Sequence, residues 1–319
     1  MKNSVVIRKS SRLILILLWL AACTPSTPTI GTPTDLIQTD SILHTPTPTP
    51  TQVISPTLTP IPAISPTPLP LPTLPPEQIA GNVVELLKTN AGCQLPCIWG
   101  ITPGITSWAE AEQRLQQAGL TPSSERQGSL LVHYDSLLIP ATTVAEGMAT
   151  DIEFTEQNGI VTAIHLEGDG YYSPSEFKNI WTSYAPERII SDYGSPTRVW
   201  IKAVASATEG NPTSFPYQLW LFYDPLGLLL RYRGMVDANP IYQICPTFSD
   251  AGNLGNAIDI YEVSPAGNKS PEDLTELATM PYPPRKLEDA TGMTIEEFYR
   301  LYLQKEKPIC IETPQNIWK

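Results

Sequence analysis

From Glu77 onward, apolar residues recur with a period near 3.6 in some stretches and near 2 in others, and the switches between the two mark the elements. Ile79, Val83, Leu86 and Leu87 fall on one stripe and predict a helix from Glu77 to Asn90. Trp108, Ala111 and Leu115 repeat the pattern, as do Ile295, Phe298, Tyr299 and Tyr302. Four hydroxyl-to-carboxylate spacings mark helix starts: Ser107 with Glu110, Ser173 with Glu176, Ser270 with Asp273, and Thr294 with Glu297. Pro174 and Pro271 occupy first helical positions, and Gly119 and Gly194 stand where helices should stop.

Between the helices the period falls to two. Gln157-Asn158-Gly159 reads as a three-residue loop that pairs Glu156 with Ile160. Ile152, Phe154, Ile160, Ile164 and Leu166 then share one face, and Asp151, Glu153, Thr155 and His165 share the other. In a second hairpin, Asp224-Pro225-Leu226-Gly227 predicts a type I turn with a bulge, which aligns Trp220, Phe222, Leu228, Leu230 and Tyr232 and sends Arg231 and Arg233 to the opposite face. Further strands are expected at Leu130–Tyr134, Arg198–Ala203 and Ala257–Val263. The fold class is therefore α+β, with two related helix-then-antiparallel-sheet modules in tandem at 77–170 and 171–319 and a short helical part at the C-terminus.

Composition changes the picture before Glu77. Thr24 to Pro76 holds 15 prolines and 14 threonines with no Phe, Tyr, Trp, Lys or Arg, so it cannot bury enough apolar surface to offset ordering entropy. Proline also fixes φ and pushes each preceding residue toward extended backbone, so residues 23–76 read as a disordered, polyproline-like linker. Ahead of it, Lys2, Arg8, Lys9 and Arg12 precede the apolar run Leu13–Ala22, the layout of a signal peptide over residues 1–22. That run holds ten residues, whereas a membrane-spanning helix needs roughly 20. Leu20-Ala21-Ala22-Cys23 resembles the lipobox of bacterial lipoproteins, which implies that Cys23 is lipidated, becomes the new N-terminus and holds the chain on the outer side of the cell membrane. Removing the leader leaves 16 basic against 32 acidic residues, a net charge of −16. No nucleic-acid partner is expected, because phosphate binding needs a basic footprint.

Export also governs the cysteines. Cys93, Cys97, Cys245 and Cys310 form an even set in a compartment where disulfides persist. Of three possible pairings, Cys93 with Cys97 and Cys245 with Cys310 is favoured, because the CQLPC segment bends through Pro96. A redox-active Cys93–Cys97 pair is the sharper alternative, but its spacing is not C-x-x-C. The cysteine spacing and the three histidines, His44, His133 and His165, match no ligand pattern, so neither a metal nor another cofactor is expected.

The segment from Gly100 to Gly119, GITPGITSWAEAEQRLQQAG, resembles the opening of SmpA/OmlA-type outer-membrane lipoproteins, the BamE-like module. Ile189 to Pro196 resembles that module's helix, G-x-P, strand step. The resemblance spans about twenty residues in each half, and implies helices followed by an antiparallel sheet, an arrangement used for protein contact. Cys93 to Gly100, CQLPCIWG, also resembles a motif of bacterial lipoproteins.

Candidate chemistry is sparse. Asp151, Glu153 and His165 converge on one hairpin face, where a carboxylate beside an imidazole could orient a general base; a solvated outer face is the plainer explanation. Ser175-Glu176-Phe177-Lys178 matches S-x-x-K without its companion motifs, and Ser175 sits in a first helical turn. Arg231 and Arg233 with Tyr223 could take an anion, although long cationic side chains commonly cover apolar neighbours. The expected function is a lipid-anchored extracytoplasmic binding or structural module of the bacterial envelope, with a protein or glycan partner. The alternative is an extracellular hydrolase of cell-wall or other polymer that works through carboxylates.

Overall fold

A computed structural model describes residues 74–139, 148–170, 174–203, 214–246, 248, 257–275, 277, 280, 282–304 and 309–318, all within the unit Thr67–Lys319. The leader, Cys23 and the linker up to residue 73 lie outside the described residues. In chain order the elements are α1 Pro76–Thr89, α2 Trp108–Ala118, β1 Ser123–Gln127, β2 Leu130–Ile139, β3 Met148–Gln157 and β4 Ile160–Asp169. The second half contributes α3 Pro174–Trp181, α4 Pro186–Tyr193, β5 Arg198–Ala203, β6 Ser214–Tyr223, β7 Leu228–Asp237, β8 Ile241–Ile244 and β9 Ala257–Val263. β10 Arg285–Lys286, α5 Leu287–Thr291, α6 Ile295–Leu303 and β11 Ile311–Pro314 complete the chain.

The caps act as the spacings imply. The Ser107 hydroxyl accepts the Glu110 N–H at 3.3 Å, and Thr294 and Glu297 form a reciprocal capping box. Gly119 ends α2 in the left-handed conformation. Ser270 and Asp273 also form a capping box, but the turn they open is a single 3₁₀ turn at Pro271–Leu274. The cap expected at Ser173 lies outside the described residues, as does the Ser175 side chain.

The fold is α+β. Nine strands form one antiparallel sheet in the order β1-β2-β3-β4-β9-β7-β6-β5-β10, and β8 pairs with β11 in a separate two-stranded sheet. The segments expected as two modules are thus joined through β9, which lies between β4 and β7. All seven β9 residues are buried, consistent with a strand enclosed on both faces. Helices cover one face. Trp181 of α3 lies over Gly168, where an added Cβ would overlap the indole ring, so glycine is what permits this approach. On the other face a strap carrying Leu274, Leu277 and Met280 packs over Trp220, Phe222, Leu229 and Tyr261 as a second, smaller core.

Both hairpin registers differ from expectation. In the first, Gln157 pairs with Ile160, leaving a two-residue Asn158-Gly159 loop with positive φ at both positions. A bulge after Thr155 then shifts the register by one, so Glu153 faces His165 and Ile152 faces Leu166. Ile152, Phe154, Ile164 and Leu166 do share the helix-covered face, and Val161, fully buried, takes the inward place expected for the half-buried Ile160.

In the second hairpin the loop is the four residues 224–227, so Tyr223 pairs with Leu228. Trp220 and Phe222 consequently lie with Leu229 and Arg231 on the strap-covered face, away from Leu228, Leu230 and Tyr232. Apolar residues occupy both faces here, so alternation could not identify the register.

The sulfurs of Cys93 and Cys97, and those of Cys245 and Cys310, lie at disulfide distance, with Cα separations of 5.9 and 4.1 Å. The second pair adjoins the Ile244–Ile311 partners and clamps the end of the β8–β11 sheet. In the chain-entropy model, closing a loop of about 66 residues contributes roughly 4 kcal/mol and a five-residue loop about 2. Replacing Cys245 and Cys310 by serine should therefore lower the thermal midpoint more than the same change at Cys93 and Cys97, as read by calorimetry.

Candidate functional site

The densest polar cluster lies on the strap side of the sheet, centred on the Asp259 carboxylate of β9. Strand pairing aligns Glu167 of β4, Asp259 and Arg231 of β7 across the sheet, with His165 and Tyr261 in the adjoining row. Arg231 grips Asp259 with two hydrogen bonds, Nε to Oδ2 at 2.8 Å and Nη2 to Oδ1 at 2.6 Å. Arg233 Nε donates to Oδ2 at 3.0 Å, and its Nη2 donates to Glu167 Oε1. His165 Nε2 stands 3.4 Å from Oδ1, and its ring stacks on Tyr261 at 4.3 Å between centroids. Trp220 and Tyr261 lie beneath the Arg231 guanidinium at 5.1 and 5.7 Å.

Asp259 is 0% exposed. Burial raises its pKa, but hydrogen bonds from His165 and Arg231 and the charges of both arginines outweigh that, so the carboxyl stays ionised well below the usual carboxylate range. Its oxygens are saturated by donors.

The expected trio of Asp151, Glu153 and His165 does share this face. Glu153 is the direct cross-strand partner of His165, while Asp151 stands opposite Glu167. The imidazole, however, hydrogen-bonds Asp259 and not Glu153. Asp259 escaped sequence reading because nothing in its local pattern shows that β9 pairs with β4, 94 positions away. Arg231 and Arg233 are not grouped with Tyr223, whose side chain points to the helix layer and donates to Gly194 O at 3.1 Å. His165, Glu167 and Asp259 bring ligand atoms within 4.8 Å of one another, a spacing a cation could span. Two guanidinium groups already fill the Asp259 oxygens, so the donor set is better matched to arginine than to a metal ion.

Two further polar groups occupy the helix side. His133 stacks on Trp108 at 3.4 Å between centroids, and its two ring nitrogens meet Ser124 Oγ at 2.7 Å and Glu156 Oε2 at 3.0 Å. Glu262 of β9, between Ile164 and Leu228, is fully buried with neither carboxyl oxygen hydrogen-bonded, and burial pushes its pKa well up. At the opposite sheet edge, Arg198, Val199, Trp200, Lys286, Glu288 and Ile295 line an open groove of about 360 Å³.

Comparison with protein-family models, with curated proteins and with solved structures returned no match. Among the described residues no helix is long and apolar enough to cross a membrane.

Asp259 and Glu262 titrate in opposite senses. The ionised Asp259 contributes stability above its ordinary value of 3.8, and that contribution is lost as pH falls toward its lower folded value. The neutral Glu262 contributes fully below its ordinary 4.5, and that contribution is lost as pH rises toward its higher folded value. Glu262→Gln should therefore stabilise the fold at pH 7 by about 1–3 kcal/mol and flatten the alkaline side of a denaturant-midpoint profile. Asp259→Asn should cost about 3–5 kcal/mol at pH 7, because it strands two partly buried arginines, and should reduce the stability lost below about pH 4, the share of Asp224 and Glu297 remaining.

Proposed function

We propose that the chain is a lipid-anchored, extracytoplasmic binding module of the bacterial envelope, with its folded part presented on a proline-rich linker. The observation that carries this reading is the cysteine arrangement. Every cysteine after Cys23 stands opposite a second one at disulfide distance, which suits an oxidising compartment, while Cys23 itself closes a lipobox-like LAAC.

The strand order supports a further element of the proposal, two related halves. β1, β2, β3 and β4 follow one another inward from one edge, and β5, β6, β7 and β9 follow inward from the other side, where β10 lies outside β5; each set is preceded by two helices. The outer face of the first half carries Asp151, Glu153 and the 46% exposed Tyr134 in adjoining rows, a polar and aromatic surface suited to a partner that presents positive charge. Binding is favoured over carboxylate hydrolysis because the carboxylate nearest His165 is held by arginines and not left free to shuttle protons.

Mass spectrometry of the mature chain should find acylated Cys23 at the N-terminus, and Cys23→Ala should shift the protein from membrane to soluble fractions. An unmodified Cys23 in membrane-derived protein would end the anchoring proposal. Crosslinking in intact cells should recover a specific envelope partner. Asp151→Lys with Glu153→Lys should weaken that recovery, whereas equal recovery would remove this face from the proposal.

A further inference from the structure

The polar trio on the helix side of β1, β2 and β3 is separate from the Asp259 network. Ser124 and His133 are cross-strand partners on β1 and β2, and the regular pairing of β2 with β3, Leu131 opposite Glu156, brings Glu156 to the far side of the imidazole. Ser124 is exposed, whereas His133 is 2% exposed and clamped against Trp108. Glu156 is itself held, because its Oε1 accepts the Gly159 N–H at 3.0 Å while Oε2 meets the imidazole. With the ring proton on Nε2 toward Glu156, Nδ1 is a bare acceptor 2.7 Å from the serine hydroxyl. An accessible hydroxyl, a buried base and a carboxylate that orients the base are the parts of an activated nucleophile.

We propose that Ser124 is a catalytic nucleophile for acyl transfer, with His133 as general base and Glu156 as the group that positions it. The ring nitrogens exchange the places they hold in the common serine-hydrolase order, where Nε2 faces the serine, and either nitrogen can accept the proton. Ser124 Oγ attacks a carbonyl carbon and gives its proton to His133 Nδ1; the new C–O bond forms as the carbonyl π pair moves to oxygen. Collapse expels the leaving group, which takes that proton from Nδ1. Water then attacks the acyl-serine, loses a proton to Nδ1, and releases a carboxylic acid as Ser124 regains its hydroxyl hydrogen.

Two features of β1 suit it to this chemistry. Arg126 stands two residues along on the face that carries Ser124, about 7 Å away between Cα atoms, and offers positive charge to the oxyanion. β1 is also an edge strand whose five side chains are all exposed. Half of its N–H groups point away from β2, a geometry that receives an extended peptide by strand addition. The substrate class is therefore a peptidyl ester or amide lying along this edge, a chemistry independent of the envelope-binding proposal.

The test treats the mature full-length chain in detergent with a fluorophosphonate probe and maps the adduct by mass spectrometry, alongside hydrolysis of an N-acetylpeptide p-nitrophenyl ester. One adduct per chain at Ser124, absent in Ser124→Ala and at the neighbouring Ser123, is the expected result. Glu156→Gln keeps an oxygen for the Gly159 N–H, so the hairpin should persist by circular dichroism while ester turnover falls about 10²–10⁴-fold. A Ser124 that stays unlabelled, equal labelling of Ser123, or undiminished turnover in folded Glu156→Gln would overturn the proposal.

Discussion

The sheet depends on a charged strand being accommodated at its centre. β9 arrives late in the sequence yet pairs with β4 on one side and β7 on the other, which places Asp259 between strands from both halves. An isolated carboxylate there would be too costly to desolvate. The Arg231 fork, Arg233 and His165 supply the compensating donors, and Glu167 in turn balances Arg233. This interaction also fixes alignment: a one-residue slip of β9 would move Asp259 to the helix side, into a place now held by Ile258 or Ile260, away from both arginines.

The same strand carries the opposite solution at Glu262, where no donor answers the carboxyl and the proton is retained instead. Side chains alternate along a strand, and Ile260 and Tyr261 separate the two acids, so Asp259 and Glu262 lie on opposite faces. Each face settles its acid differently. On the strap side cations hold the charge, and on the helix side burial removes it.

Much of the helical framework was legible because caps and stops are local. Ser107, Thr294, Gly119 and Gly194 act where their neighbours imply, and β5 and β9 have the expected bounds. Register was less legible. The first hairpin reconciles a two-residue loop with its apolar face through a bulge, and alternation alone does not signal the extra residue. The second hairpin is apolar on both faces because Leu274, Leu277 and Met280 cover it from a distant segment. Both candidate polar sites have the same character. His165 and Glu153 could be grouped from one hairpin, but Asp259, and the Ser124–His133–Glu156 trio, come together only once strands pair across the sheet.

Native-state hydrogen exchange reads whether β9 knits both halves into one cooperative sheet. The slowest amides of β4, β9 and β7 should share one opening free energy equal to that of global unfolding. Separate opening energies for β2–β4 and β5–β7, with β9 following only one of them, would contradict it.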